Sequence, residues 1–195
     1  MIKTTEQPDR DAWLTGKLLL AMPGMADPRF HKAVICLCAH DSGGAMGLVI
    51  NHRLKGMDMS GILKQVDMAA SHETAQNMPV MQGGPVETAR GFLLHSHDFI
   101  LPETICTGDA LCVTGTLDAL RAVAAGKGPQ QMIFALGYAG WTAGQLEQEL
   151  QQNAWLCMDA DPALVFETPP EQKWDAALAT LGVDQAMLSV ESGRA

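Results

Sequence analysis

The residues most suited to chemistry lie in one short segment, His40-Asp41-Ser42, at the start of a glycine-rich stretch. An imidazole, a carboxylate and a hydroxyl could supply a nucleophile and its base, but working triads draw their members from separate elements. Asp-Ser-Gly-Gly is also ordinary turn chemistry, in which the aspartate accepts a backbone hydrogen bond and glycine adopts turn dihedrals. The pattern therefore favours a structural turn, with a ligand or partner site at His40, Asp41, Gly43 and Gly44 as the alternative.

Two cysteines precede this turn with the spacing of a strand, so Cys36, Cys38 and His40 are expected to share one face. Thiolate sulfur and imidazole nitrogen are ligands that zinc accepts. Strand cysteines more often act as small core residues, and no fourth ligand is identified. We therefore predict neither a metal site nor a cofactor, and leave metal binding by these three residues as an open alternative.

A second glycine turn, Gly83-Gly84-Pro85, could present backbone N–H groups to a small anionic ligand, as phosphate-binding nests do. Neither glycine turn fits the Walker or dinucleotide fingerprint. His95 could join His40 around these turns, and Trp141 could form an aromatic recognition surface or pack in the core. No residue is assigned a catalytic role. The candidate ligand or partner site comprises His40, Asp41, Gly43, Gly44, Asn51, Gly83, Gly84, His95 and Trp141.

The elements that position these residues follow from the apolar pattern. Two runs rich in β-branched residues, 34–39 and 46–51, flank the first glycine turn and predict a β-hairpin. A surface loop is expected over 54–58, a short helix capped by Ser60 follows it, and a turn over 137–141 leads to a helix capped by Thr142. Further predicted strands are 17–21, 91–96, 104–107, 111–114, 132–136 and 155–158, and further predicted helices are 116–125, 143–152 and 171–181.

Hairpins early in the chain and helix–strand alternation later predict a sheet with both antiparallel and parallel neighbours. We therefore expect a mixed α/β or α+β fold, with residues 1–195 forming a single domain. Residues 1–12 are polar and are expected to form a loose N-terminal arm.

Charge and apolar patterning narrow the classes of partner. The formal net charge is −9 and the basic residues are scattered, so direct nucleic-acid binding is disfavoured and anionic membrane surfaces are repelled. The N-terminus has no apolar signal core and no stretch is long enough to span a bilayer, so we expect a cytoplasmic protein. Five cysteines without a Cys-x-x-Cys motif are expected to be reduced thiols.

Several motifs together resemble one family. The chain is similar to the YqgE/AlgH family of small bacterial proteins in segments that run through nearly its whole length. These segments are Leu20-Ala21-Met22-Pro23, Asp27-Pro28-Arg29-Phe30, His40-Asp41, Gly44 to Asn51, Gly83-Gly84-Pro85-Val86, Arg90-Gly91-Phe92, Leu136 to Trp141 and Gly144-Gln145-Leu146-Glu147, with Phe166, Pro169 and Trp174 near the end.

The resemblance implies a single-domain fold whose mixed, bifurcated sheet curls toward a pseudo-barrel with helices outside. The AlgH name links relatives to regulation of alginate production, but the resemblance carries over no catalytic residue or cofactor. We therefore expect a non-enzymatic binding or regulatory protein that acts through a protein partner or a small ligand, so that any transcriptional effect is indirect. The alternative is a small-molecule-binding protein or enzyme that uses His40, Asp41 and the glycine turns.

Overall fold

The structure is a computed structural model that describes residues 13–69, 77–108 and 110–183. The predicted loose arm at 1–12 lies outside the described residues. The extension of one domain over all 195 residues therefore stays a prediction.

The described ranges contain ten strands and four α-helices, together with two 3-10 helices (Pro28–Phe30 and Pro170–Gln172) and a π-helical turn (Ala163–Glu167). The helix Met59–Gln65 begins after Asp58, whose carboxylate accepts the backbone N–H of Gly61, so the predicted cap Ser60 lies inside the helix. The strands are β1 (Lys17–Ala21), β2 (Val34–Asp41), β3 (Gly44–Val49), β4 (Arg53–Asp58), β5 (Pro79–Gln82), β6 (Val86–Ser96), β7 (Ile105–Cys106), β8 (Leu111–Thr114), β9 (Met132–Thr142) and β10 (Trp155–Asp159). The helices are α1 (Met59–Gln65), α2 (Leu117–Ala124), α3 (Gln145–Gln151) and α4 (Lys173–Thr180).

The sheet follows the strand order β10-β1-β2-β3-β9-β6-β8-β7, and every neighbouring pair along this path is antiparallel. Strand β5 pairs in parallel with β9 and antiparallel with β4. The predicted mixture of strand directions is therefore confirmed.

Strand β9 is where the sheet divides. Its residues 139–142 pair with β3, whereas its residues 134–136 pair with β5 on the same edge, and β6 occupies the other edge. Gly83, directly after β5, bridges the point of division, because it donates its N–H to the Leu136 carbonyl of β9 and its carbonyl accepts the N–H of Val49 in β3. The predicted α+β fold, with a bifurcated sheet that curls and carries helices outside, is confirmed.

Three apolar clusters hold the helices to the sheet. One packs α4 against the face of β2 that carries Val34 and Cys36, and another packs α3 against the opposite face, which carries Ile35 and Leu37. The third joins α1 and α2 to β5, β6 and β9. Strand β2 is buried on both faces, which explains why its sequence is almost continuously apolar.

Besides the Ser60 cap, two further local predictions are wrong. Residues 53–58, expected as a loop over 54–58, form the edge strand β4, in which a register shift and the positive φ of Gly56 (+76°) interrupt the alternation of side chains. Residues 137–141, expected as a turn, continue β9, and Gly144 rather than Thr142 is the N-cap residue of α3. Pairing with β3 and β6 outweighs the turn preference of Gly137 and Gly140.

The cysteine prediction needs a correction. Cys106 and Cys112 are joined by a disulfide, whereas Cys36, Cys38 and Cys157 are free thiols as expected. The two bonded residues are direct cross-strand partners in β7 and β8, so the antiparallel register brings their side chains together.

Within residues 13–69, 77–108 and 110–183, every helix is too short or too polar to cross a membrane.

Candidate functional site

His40 is buried and both of its ring nitrogens are engaged. Leu14 donates its backbone N–H to Nδ1 at 3.0 Å, so Nδ1 carries no proton and Nε2 donates to the Glu147 carboxylate at 2.9 Å. The Trp13 ring packs edge-on against the imidazole, with 5.0 Å between ring centroids. His40 thus connects β2 to the chain entering β1 and to α3, and it presents no free nitrogen to a ligand.

The shared face predicted for Cys36, Cys38 and His40 is not formed. Register shifts between Leu37 and Ala39, where a β-bulge interrupts the alternation of side chains. Cys36 and Cys38 lie in the cluster under α4, whereas His40 contacts groups on the opposite side. A hydrogen bond with Cys36, followed by burial, raises the pKa of the Cys38 thiol well above its usual value, which disfavours the thiolate that a metal requires.

Replacing His40 by alanine is expected to lower the free energy of unfolding by about 1–3 kcal/mol, because two internal hydrogen bonds and a buried ring contact are lost. Ser42→Ala, in the exposed turn, is the matched control and is expected to change stability by less than about 0.5 kcal/mol. Urea denaturation monitored by circular dichroism measures both. Equal stability of the two variants would show that His40 is not part of the scaffold.

The first glycine turn satisfies its own polar groups. Asp41 accepts the N–H of Gly43 at 2.7 Å, and Asp41 and Gly44 are cross-strand partners that close the hairpin around Ser42 and Gly43. The Asp41 carboxylate therefore stands where an anion would have to bind. This geometry agrees with the structural turn that the sequence favours.

Asn51 and the second glycine turn also hold the sheet together. The Asn51 amide accepts the N–H of Val34 at 2.8 Å and donates to the Lys32 carbonyl at 2.8 Å, which fixes the base of the hairpin. Gly83 and Gly84 are buried against β9, where an added Cβ would lie 2.3 Å from Gly137 O and 2.0 Å from Tyr138 C, respectively. These two glycines lie where the sheet divides at β9, the fork of the sheet, and they do not form an open anion-binding nest.

His95 is fully buried within a continuous chain of hydrogen bonds. Its Nδ1–H donates to the Ser96 carbonyl at 2.8 Å, and its Nε2 lies 2.9 Å from Thr114 Oγ1. Thr114 Oγ1 lies 2.7 Å from Thr104 Oγ1, which accepts the N–H of Leu101. A neutral imidazole satisfies every group in this chain, because Nε2 then accepts from Thr114. Burial, the largest cause, lowers the pKa of His95 below its ordinary value.

This lowered pKa predicts a pH dependence of folding. The unfolded chain binds a proton at the ordinary value of 6.5, whereas the folded protein binds it only at lower pH, so the free energy of unfolding falls as pH decreases below 6.5. Burial also lowers the pKa of His52, which contributes in the same direction. Urea denaturation at several pH values between about 7.5 and 5 is expected to show a shallower slope for His95→Gln than for the wild type. An unchanged slope would contradict the assignment.

The structure separates His40 from His95. His40 pairs with Ala45, which pairs with Trp141 at one end of β9, whereas His95 pairs with Met132 at the other end. Nine residues separate these two β9 positions, which corresponds to roughly 30 Å along a strand. The two histidines therefore do not meet in a common pocket.

Trp141 is 7% exposed and does not form a flat recognition surface. Its indole N–H donates to Glu149 Oε2 at 2.8 Å, and the indole N–H of Trp155 donates to the same oxygen at 2.7 Å. The amide of Gln145 donates to Glu149 Oε1 at 2.9 Å. The carboxylate on α3 thus fixes both indoles, which meet edge to face with 5.9 Å between ring centroids.

Trp141 and Trp155 also line a concave site. A cavity of about 1010 Å³ lies between the β1–β2 connection, the start of β6 and the α3–β10 corner. Asp27 and Arg29 form a bidentate ion pair at its rim, with Arg29 Nη2 2.6 Å from Asp27 Oδ2. The hydrogen bond from Arg29 holds the pKa of Asp27 below its usual range. Residues that shape the cavity are Met25, Phe30, Trp141, Glu149, Asn153 and Trp155.

Of the candidate residues, Trp141 alone contributes to this cavity. The prediction missed Asp27, Arg29 and Glu149, although Asp27 and Arg29 both lie in one of the motifs that carry the family resemblance. Asp27 and Arg29 lie two positions apart, but Glu149 follows more than a hundred positions later in the chain, so no local spacing links it to them. The motif Asp27-Pro28-Arg29-Phe30 was the available signal, because a proline-containing turn with an ion pair fixes a loop at the surface.

The curled, divided sheet with outer helices defines a fold that solved proteins share. The solution structure of the AlgH protein from Pseudomonas aeruginosa is 43% identical, covers 97% of this chain and 100% of its own, and superposes with a TM-score of 0.77. A crystal structure of a Corynebacterium diphtheriae protein, at 18% identity and a TM-score of 0.71, shares the fold alone.

The AlgH-like family profile matches residues 18–186, and the chain belongs to this family. A UPF0301 protein of Methylobacterium nodulans is 46% identical over 202 residues, covering 99% of this chain and 96% of the relative. A UPF0301 protein of Jannaschia sp. is 50% identical over 190 residues, covering 96% and 98%. The resemblance inferred from the motifs is confirmed. These names state a family and not a reaction.

Proposed function

We propose that this protein is a non-enzymatic cytoplasmic binding protein and that a segment of a protein partner occupies the cavity beside Trp141 and Trp155. The observation that carries the proposal is the cavity itself, about 1010 Å³ in volume and walled by elements from three separate parts of the chain. This volume is at the upper end of the range for small-molecule pockets, and an open cleft of this size suits a peptide segment.

The internal hydrogen bonds support a binding role rather than catalysis. His40 and His95, the side chains best suited to proton transfer, use both ring nitrogens within the fold and are remote from each other. In the cavity, Glu149 accepts three internal hydrogen bonds and Asp27 is paired with Arg29. Among the described residues that line the cavity, no nucleophilic side chain is accompanied by a base that is free of internal hydrogen bonds.

The wall chemistry indicates what the partner segment should carry. Phe30, Met25 and the edges of the two indoles offer apolar contact, so an apolar side chain would be buried favourably. Asn153 and Glu149 supply polar groups to the wall, which suits a segment that also presents backbone N–H donors. The rim ion pair neutralises itself, but the Glu149 carboxylate has only neutral partners, so the cavity disfavours a strongly acidic segment. A regulatory effect would then follow when the partner segment occupies the cavity.

The small anionic ligand considered for the glycine turns is not part of this proposal. The N–H of Gly43 already donates to Asp41, and the N–H of Gly83 donates to Leu136.

Affinity purification from native cytosol with cavity-blocking variants tests the proposal. Gly24→Phe places a ring at the cavity without a clash at Cβ, because nothing lies within 4 Å of that position, and Ala26→Arg fills the same region. Both variants are expected to lose a stoichiometric partner that the wild type captures. Ala179→Arg, exposed on α4, is the control and is expected to retain the partner. Identical capture by wild type and blocked variants, or repeated absence of any stoichiometric partner, would overturn the proposal.

A further inference from the structure

Three metal-ligating side chains meet at the β7 edge of the sheet. The sulfurs of Cys106 and Cys112 and an imidazole nitrogen of His97 all lie within 4.8 Å of one another. Across residues 13–69, 77–108 and 110–183, no other group of three or more His, Cys, Asp or Glu residues comes this close. Two sulfurs and one imidazole are a ligand set that zinc accepts, with a fourth position left for water.

The sheet register assembles this cluster from three elements. Cys106 in β7 and Cys112 in β8 are cross-strand partners, and β8 pairs with β6 so that Leu111 stands opposite Ser96. His97 follows directly after Ser96 and is therefore delivered to the same edge. His97 and Cys106 are exposed and Cys112 is buried, so the cluster opens to solvent on one side.

We propose that these three residues are a zinc site that forms when the Cys106–Cys112 disulfide is reduced. A dithiol reductant supplies two electrons and two protons, the S–S bond breaks, and the reductant becomes a disulfide while the protein gains two thiols. Zn²⁺ then displaces the two thiol protons and forms two Zn–S bonds and one Zn–N bond, with water as the fourth ligand. The two sulfurs cannot form the disulfide and bind zinc at the same time.

The geometry needs only small movements to reach the zinc-bound state. Donor atoms at about 2.0–2.3 Å from a tetrahedral ion are roughly 3.5–3.8 Å apart, which is within the span that the three atoms already occupy. The sulfurs must separate from bonding distance. Cys106 can make this movement because β7 has two residues and pairs with β8 on one side, at the end of the described strand order.

The zinc site does not depend on the proposed binding cavity. The cavity is formed by the β1–β2 connection, α3 and β10, whereas β7 ends the strand order at the other side of the sheet. Failure of one proposal therefore leaves the other unaffected.

Zinc titration of the full chain tests the site directly. The protein is reduced with a phosphine, freed of reductant without air, and titrated with Zn²⁺ in competition with a chromogenic zinc indicator. We expect one Zn²⁺ per reduced chain and none per chain with the disulfide intact. Co²⁺ in place of Zn²⁺ should give the sulfur-to-metal charge-transfer absorption of a thiolate site.

Matched variants separate the site from incidental binding. Cys106→Ser changes an exposed residue and is expected to abolish stoichiometric binding with the fold retained by circular dichroism, and His97→Ala is expected to weaken binding at least about tenfold. Cys157→Ser removes a thiol elsewhere and should bind as the wild type does. If reduced wild-type protein binds no more zinc than Cys106→Ser, or if Cys157→Ser loses the metal equally, the proposal is wrong.

Discussion

Gly84→Ala is expected to destabilise the protein by about 3 kcal/mol, a large share of the roughly 5–15 kcal/mol that stabilises a typical domain. Gly84 has φ +156°, and an added Cβ would lie 2.0 Å from the carbonyl carbon and 2.2 Å from the oxygen of Tyr138. Both contacts are with backbone of β9, so no side-chain rotation relieves them. Urea denaturation, with soluble yield as a second readout, measures the loss.

Gly144→Ala is the matched control for this prediction. Gly144 also has a positive φ, +74°, but nothing lies within 4 Å of the Cβ position, so the expected cost is about 1 kcal/mol of backbone strain. Gly44→Ala combines φ +136° with a contact of 2.2 Å to Trp141 O and should cost more than about 1 kcal/mol. If Gly84→Ala and Gly144→Ala lost equal stability, the close approach at the fork would not be the cause.

Lys173→Met is expected to lower the free energy of unfolding by about 3 kcal/mol. Lys173 is 2% exposed, and its ammonium donates to the carbonyls of Leu164 at 3.1 Å, Thr168 at 2.7 Å and Val165. Methionine keeps the length of the side chain and removes the donors, so acceptors at the Ala163–Glu167 π-helical turn lose their partners. Burial lowers the pKa of Lys173 to about 8, so the wild type already carries a desolvation cost that moderates the loss.

Lys55→Met, exposed on β4, controls for the general effect of replacing a lysine and should stay within about 0.5 kcal/mol of the wild type. Thermal and urea denaturation of both variants give the comparison. A Lys173→Met variant as stable as Lys55→Met would mean that the buried ammonium contributes nothing net to the turn.

The local predictions succeeded where one strong pattern coincided with the final pairing. The hairpin around Gly43 was predictable because β-branched runs flank a turn that the strands themselves close. The helix after Thr116 was predictable because the Thr116 hydroxyl does cap it, accepting the N–H of Ala119. Both signals are local, so the sequence around them contains the cause.

The failures have a tertiary origin. Gly137 and Gly140 are turn formers, but they lie within an eleven-residue strand because β3, β5 and β6 converge there. The bulge between Leu37 and Ala39 places His40 on the face opposite to Cys36 and Cys38, and no residue type predicts such an insertion. The cavity beside Trp141 was missed for a related reason, since its walls meet only after the sheet has curled.

The division of the sheet at β9 also fixes the order in which the strands can pair while the chain is being synthesised. Strands β3, β5 and β6 each have an unpaired edge until β9 has been synthesised. Strand β1 likewise has an unpaired edge until β10 has been synthesised, because its Lys17 pairs with Asp159 of β10. A nascent chain therefore has unpaired strand edges until about residue 160 has left the ribosome. Such non-local pairing raises contact order, so folding is expected to be slow and largely post-translational, with chaperone contact most valuable while the β2–β3 hairpin lacks its neighbour.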